Sequence, residues 1–219
     1  MDTLLNDFQN FSLWLISKEN LQKVSSFILR VNNQVHMNSN IIIYKDFVKT
    51  REIDNDSFST SHFYAIKNRK HEIVGTIKAQ KWDRQSPLPI EHDFNIKVAD
   101  IVSNLNCYPN EIWHIGRFAI DQEKVKKDQF LRKNRLTLLK LLLANAFQHI
   151  YTNPSNIALA ECDKKLFEKL KLLQINSTPI GESKTYLGSE TVPIYNTSSG
   201  VEKNKHLCYT PEQQDLHSA

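Results

Sequence analysis

Residues 111–121 read Glu-Ile-Trp-His-Ile-Gly-Arg-Phe-Ala-Ile-Asp, and no other stretch restricts the fold as tightly. Ile112, Trp113, Ile115, Phe118, Ala119 and Ile120 form a short, β-prone run bounded by Pro109-Asn110 and Asp121, the pattern of an interior strand. His114, Gly116 and Arg117 interrupt it. Glycine inside a strand packs no side chain, so it marks a bulge or a close approach of backbone to ligand. Main-chain groups freed by such a bulge can bond something other than a neighbouring strand. Beyond a connector rich in Lys and Arg, the run Arg135 to Tyr151 carries Leu136, Leu138, Leu139, Leu141, Leu142, Leu143, Ala144, Ala146 and Phe147. A helix apolar around most of its circumference is buried on several sides. The strand and helix therefore require a sheet with layers on both faces.

The rest of the chain supplies one. Apolar spacing at Phe8, Phe11 and Leu15, then at Leu21, Val24, Phe27, Ile28 and Val31, predicts two amphipathic helices between about Asn6 and Val35. Ile41-Ile-Ile-Tyr44 and an acidic cluster, Glu52, Asp54 and Asp56, follow; the cluster is expected on a loop. His62 to Lys67 and Glu72 to Lys81 read as a hairpin turning at Asn68-Arg-Lys-His71. The prolines of Pro87-Leu-Pro-Ile-Glu91 predict loop or extended chain, and Lys97 to Leu105 predicts a short helix. Ile157 to Cys162 is a strand, and Asp163 caps a helix to about Leu173. Extended segments at Ile175–Ile180 and Tyr186–Tyr195 turn at Gly181 and Gly188. The order implies a single α+β domain with a mixed central sheet flanked by helices, spanning residues 1–197, with a polar, loose tail at 198–219 broken only by Leu207-Cys-Tyr209.

Composition removes several function classes. The 28 Lys+Arg against 24 Asp+Glu leave +4, too mild for general nucleic-acid binding. Cys107, Cys162 and Cys208 are widely spaced with no Cys-x-x-Cys, which argues for a reducing, cytoplasmic setting and against a zinc centre. No window reaches the roughly 18 to 20 apolar residues of a transmembrane helix, and the first 30 residues lack a signal-peptide core. No metal-binding His spacing, no Gly-x-Ser-x-Gly and no Walker A motif is present.

The motifs together resemble one branch of the GNAT acyltransferases, the acyl-homoserine-lactone synthases and the related long-chain N-acyl amino acid synthases. Those enzymes carry a strand of the form Trp-Glu-(Ile/Leu)-Ser-Arg-Phe-Ala-(Ile/Val)-Asp, matched here by Trp113-His-Ile-Gly-Arg117-Phe-Ala-Ile-Asp121. Leu29-Arg30, Glu52-Ile-Asp54-Asn-Asp56, Gly75-Thr-Ile-Lys78, Leu88-Pro-Ile-Glu91 and Tyr186-Leu-Gly-Ser-Glu-Thr-Val-Pro193 are similar to further motifs in the same order. Three departures stand out: His114 for Glu, Gly116 for Ser or Thr, and Lys78 for Arg. The resemblance implies a GNAT-like fold and N-acyl transfer from a thioester to an amine, with no permanently bound cofactor. It also implies that Arg30, Asp54, Asp56 and Arg117 form a network around the cleft, with Glu52, Lys78, Gly116 and Phe118 contributing to substrate binding.

Acyl transfer needs a polarised carbonyl, a deprotonated amine and release of the thiol. Backbone N–H groups near Gly116 to Phe118 suit the first. For the base, His114 leads because imidazole accepts protons at neutral pH; Glu111 acting through a water is the reserve and Glu161 a weaker candidate. Arg117, if buried, must be paired. The connector Gln129-Phe-Leu-Arg132-Lys-Asn134 lacks the glycines that let GNAT backbones cradle CoA pyrophosphate. Arg132, Lys133 and Arg135 can instead meet the single phosphate of a phosphopantetheine arm and the acidic surface of an acyl carrier protein. Acyl carrier protein is thus favoured over acyl-CoA as donor, and a small amine, an amino acid above all, is the acceptor. A CoA-dependent GNAT acting on a small amine, and a catalytically degenerate binding protein, are the alternatives.

Overall fold

The computed structural model describes residues 1–36, 44–105, 108–186 and 188–203. Ile41, Ile42, Ile43, Cys107 and Leu207-Cys-Tyr209 lie outside them. The chain opens with strands β1 (Thr3–Asp7) and β2 (Phe11–Leu15), then helices α1 (Leu21–His36) and α2 (Tyr44–Asp56). Strands β3 (Ser61–Asn68) and β4 (Ile73–Lys81) follow, then helices α3 (Pro89–Phe94) and α4 (Val98–Ser103). Next come β5 (Ile112–Ile120), α5 (Gln122–Lys127), α6 (Gln129–Lys133), α7 (Arg135–Tyr151), β6 (Ile157–Asp163) and α8 (Lys164–Leu172). The described chain ends with β7 (Ser177–Pro179), β8 (Lys184–Tyr186), β9 (Ser189–Thr197) and α9 (Ser198–Val201).

These strands form one nine-stranded sheet in the order β1-β2-β3-β4-β5-β6-β9-β7, with β8 paired to β9. Every pairing is antiparallel except β5 with β6, which the α5–α7 crossover makes parallel. Period-two alternation divides the sheet's two faces. Ile77, Ala79, Trp113, Ile115, Ala158 and Cys162 pack against the buried leucines of α7. The opposite face carries Ile112, Ile157 and Leu159 under α3 and α4, and Phe63, Ala65 and Ala119 under α1.

Four expectations are corrected. The first predicted helix is the β1–β2 hairpin: Phe11 and Leu13 are buried while Ser12 between them is less so, a period of two that Phe8, Phe11 and Leu15 conceal. Gln9 at φ 65° makes the turn, and Asp2 ties the hairpin down by accepting hydrogen bonds from Ser17 N, Ser17 Oγ, Asn20 Nδ2 and Lys67 Nζ. The Pro87–Glu91 segment enters a helix, because Pro89 occupies its first position and Glu91 reaches back to accept from Leu88 N, while its other oxygen accepts from Val98 N at the start of α4. The acidic cluster lies on the last turns of α2 rather than on a loop. Ser198 to Lys203 is structured: Val201 is buried, and Asn176 N and Tyr151 Oη donate to the carbonyls of Gly200 and Val201.

His149 on α7 is stacked on Trp113, ring centroids 4.1 Å apart, and beside His62 at 4.4 Å, with its Nε2 3.0 Å from Tyr64 Oη. Burial, and then the neighbouring His62, lower its pKa to about 3. Between that value and the ordinary 6.5 of an unfolded-chain histidine, the unfolded state binds more protons. Stability from this site is complete above about pH 6.5 and is lost as pH falls toward 3. His149→Gln is expected to lower Tm at pH 7 but to shrink the further drop between pH 7 and pH 5, as read by calorimetry; an equally steep drop would refute the assignment.

Candidate active site

The bulge predicted on β5 is present, one residue beyond the glycine. Thr76 pairs with Ala119 and Lys78 with Gly116, so Arg117 and Phe118 together oppose Ile77. Arg117 adopts φ 55°, a left-handed conformation that costs a non-glycine residue about 1 kcal/mol or more. Two contacts hold it there. Thr76 Oγ1 donates to the Arg117 carbonyl at 3.1 Å, and Arg117 Nε donates to Asp54 Oδ1 at 2.9 Å.

At the same place the sheet opens. β5 and β6 pair only from Ile112, Trp113 and His114 to Ile157, Ala158 and Leu159. The remainder of each strand has no partner on the other, leaving a cleft between two central strands. His114 is the last paired residue on β5, and Glu161 lies two past the last on β6. His114 Nε2 and Glu161 Oε2 are 2.8 Å apart, with both residues buried or nearly so. An ionised carboxylate can only accept, so Nε2 donates to it, and in the neutral imidazole that tautomer leaves the lone pair on Nδ1. His114 Nδ1 and Glu161 Oε1 are buried without a hydrogen-bond partner among the described residues. Gly116 makes this possible: a Cβ there would sit 3.0 Å from His114 Cε1. The glycine gives the imidazole room to lie across the strand.

A buried charge network forms the cleft's other wall. Asp54 is fully buried, accepting from Arg117 on Oδ1 and from Ser25 Oγ on Oδ2 at 2.9 Å. Lys78, 3% exposed, donates from Nζ to Gln80 Oε1 at 2.8 Å and to Ser57 Oγ at 3.4 Å, with Asp54 Oδ1 3.9 Å away. Burial first, then Arg117, lower the Lys78 pKa to about 8 against the opposing pull of Asp54 and Glu161. Tyr186 on β8 donates to Asp93 Oδ2 at 2.7 Å. Burial, and then that bond to Asp93, push its phenol well above the usual range. Glu161 adds to that rise and Arg117 opposes it.

The structure thus brings together His114, Arg117, Asp54, Lys78 and Gly116, but separates other expected members: the Phe118 backbone is part of the bulge while its ring packs against the α7-side core. Arg30 pairs with Asp121 at 2.8 Å instead of joining Asp54, because Asp121 also caps α5 through Lys124 N. Glu52 and Asp56 are exposed, since only one residue per helical turn of α2 faces the sheet. Glu111 lies at the far end of β5, bonded by Lys81 Nζ and Trp113 Nε1. Arg132, Lys133 and Arg135 are exposed on α6 and α7 beside the half-exposed Phe130 and Leu136. The amides of Phe130 and Leu131 at the start of α6 are occupied by the Asp128 carboxylate. Sequence reasoning missed the pairing of Glu161 with His114, although its period-two alignment with Ile157 and Leu159 was a usable signal. It also missed Tyr186 with Asp93, whose separation of 93 residues leaves no local trace.

No protein-family model matches the sequence, and no curated protein matches it. Solved structures do. An N-acyl amino acid synthase from uncultured soil microbes, FeeM, superposes with a TM-score of 0.56 at 14% identity, covering 86% of this chain and 92% of its own. A ribosomal-protein-S5-alanine acetyltransferase from Vibrio fischeri gives 0.50 at 13%, covering 90% and 97%. A GNAT-family acetyltransferase from Staphylococcus aureus Mu50 gives 0.50 at 13%, covering 86% and 99%. At these identities the likeness establishes the fold: the chain has the GNAT fold.

Asp54→Asn is expected to destabilise the chain by about 3 kcal/mol, because it leaves Arg117 without its buried ion-pair partner and takes one of two counter-charges from Lys78. Adding Arg117→Met to that variant should recover part of the loss. Denaturant titration of the single and double variants measures both, and strictly additive losses would show that the pair is not coupled.

Proposed function

We propose that this chain is an N-acyltransferase that moves a medium or long acyl group from a carrier-bound thioester to the amine of an amino acid or related small molecule, by direct attack. The observation that carries this reading is the His114–Glu161 pair at the point where β5 and β6 part, beside the bulge in the β4–β5 ladder. A thioester lying in the split presents its carbonyl to the amides near Arg117 and Phe118, which stabilise the oxyanion. His114 Nδ1 takes the amine's proton while Glu161 fixes the tautomer and favours the imidazolium. Arg117 uses only Nε on Asp54; its remaining donors have no hydrogen-bond partner among the described residues, which suits the carboxylate of an amino-acid acceptor.

Two features favour a carrier protein over CoA. The α6 amides are already capped by Asp128, so they offer no seat for a pyrophosphate. Arg132, Lys133 and Arg135 remain exposed at the start of α7, which has no side-chain cap, and the helix terminus with these cations suits one phosphate and an acidic partner surface. Among the described residues no helix is long and apolar enough to cross a membrane.

The test is amine-dependent thiol release from acyl-carrier-protein and acyl-CoA donors of graded length, with pooled amino acids as acceptors. Release from carrier-protein donors is expected; release from CoA donors alone would favour the CoA-dependent reading, and none from either, with folded protein, would favour a binding protein. His114→Ala is expected to lower kcat by about 10²-fold or more. Reversing charge at Arg132 and Arg135 should raise the KM for the carrier donor several-fold, and more at low salt than at high. A salt-independent KM would exclude electrostatic docking there.

A further inference from the structure

Lys78 is an ionisable group at the centre of the cleft that the reaction described above leaves unused. Its position singles it out. Lys78 pairs with Gly116 across the β4–β5 ladder, on the residue pair that opens the bulge. Gly116 has no side chain, and His114 already lies against it from within β5. An acyl carbon seated over Gly116 therefore lies between the His114 imidazole and the strand that carries Lys78, whose amine sits 5.6 Å from the Phe63 ring centroid. Gln80 and Ser57 engage the amine, and Asp54, at 3.9 Å, is too far for a hydrogen bond. One of the three N–H groups of an ammonium thus has no hydrogen-bond acceptor among the described residues.

Resting on the N-acyltransferase reading, we propose that Lys78 is a catalytic acid that delivers its proton to the sulfur as the thiol departs. The free amine attacks the thioester carbonyl, forming the N–C bond, and one amine proton passes to His114 Nδ1. The tetrahedral intermediate collapses with cleavage of the C–S bond, and the electron pair leaves on sulfur. Lys78 Nζ gives that sulfur a proton and is left neutral. Transfer from the imidazolium back to Lys78 restores both groups, so the net movement is one proton from amine to thiol. Arginine at this position would hold the same charge but could not release a proton. Burial lowers the pKa of Lys78 to about 8, near the ordinary 8.5 of a thiol, so the transfer is close to thermoneutral. An acid must be protonated to act, so kcat/KM is retained below about pH 8 and lost as pH rises through it.

The test compares Lys78→Arg with the wild-type chain, using octanoyl thioesters of two kinds and the amino-acid acceptor pool. One is whichever of octanoyl-carrier-protein or octanoyl-CoA supports turnover; the other is octanoyl 4-nitrothiophenol, whose thiolate leaves without a proton. With the alkyl donor, Lys78→Arg is expected to lose about 10²-fold in kcat and its alkaline limb. With the aryl donor, it should recover most of that loss, whereas His114→Ala should not. Thermal unfolding of each variant checks the fold. Should Lys78→Arg fail to fold, the wild-type chain decides alone, because its alkaline limb should be present with the alkyl donor and absent with the aryl one. An unchanged limb in Lys78→Arg, or the same limb with both donors in the wild type, overturns the role of Lys78 but leaves the acyltransferase intact. Absence of any thiol release by the wild-type chain overturns both.

Discussion

The pairing of Asp54 with Arg117 is the contact on which the rest of the cleft depends. Arg117 sits at a backbone conformation that an arginine does not choose, and the bulge exists only while something outweighs that cost. Asp54 supplies it from a different element, at the inward-facing position of α2, where the carboxylate is fully buried and its two oxygens are divided between Arg117 and Ser25 of α1. One carboxylate therefore ties both N-terminal helices to the bulged strand. Lys78 is held in the same network from β4. A charge buried this deeply is costly when alone, so the helices, the bulge and the lysine stabilise one another.

Much of the frame was legible in the sequence because it rests on periodicity. The strand at 112–120, the helix at 135–151, the hairpin at 61–81 and the Asp163 cap each follow from local spacing or local hydrogen-bond chemistry. The N-terminal hairpin was hidden because Phe8, Phe11 and Leu15 fit a helical spacing, and only the burial of Leu13 between Phe11 and Leu15 reveals the period of two. Proline misled at residues 87–91 for a related reason. It breaks a helix interior but suits a helix's first turn, and the distinction turns on whether Glu91 can reach back to the preceding backbone.

The site was legible in its residues and less so in its contacts. His114, Gly116, Arg117, Asp54 and Lys78 were all identifiable, yet their roles depend on which strand ends where. Gly116 reads as the mark of a bulge or of a close backbone approach to ligand; the bulge lies next to it at Arg117 and Phe118, and the glycine makes space for an imidazole. Arg30 was expected to join Asp54, but Asp121 sits closer and needs a cation. Such outcomes turn on partners 63 and 91 residues apart along the chain, separations over which no spacing rule operates.

The departures at 114 and 116 are physically coupled. Where the resembling enzymes place Glu and then Ser, this chain places a larger ring and then no side chain, and a Cβ at 116 would press on that ring. A strand kept only for its fold would gain from apolar residues at such positions, because burying His114 against Glu161 and Lys78 near Asp54 recovers little of the desolvation it costs. Nothing in the packing of β4, β5 or β6 requires an imidazole, a carboxylate and an amine on one face within a split between strands. Their joint burial costs stability that the fold does not recover, and the proposed proton transfers at that split would use all three groups.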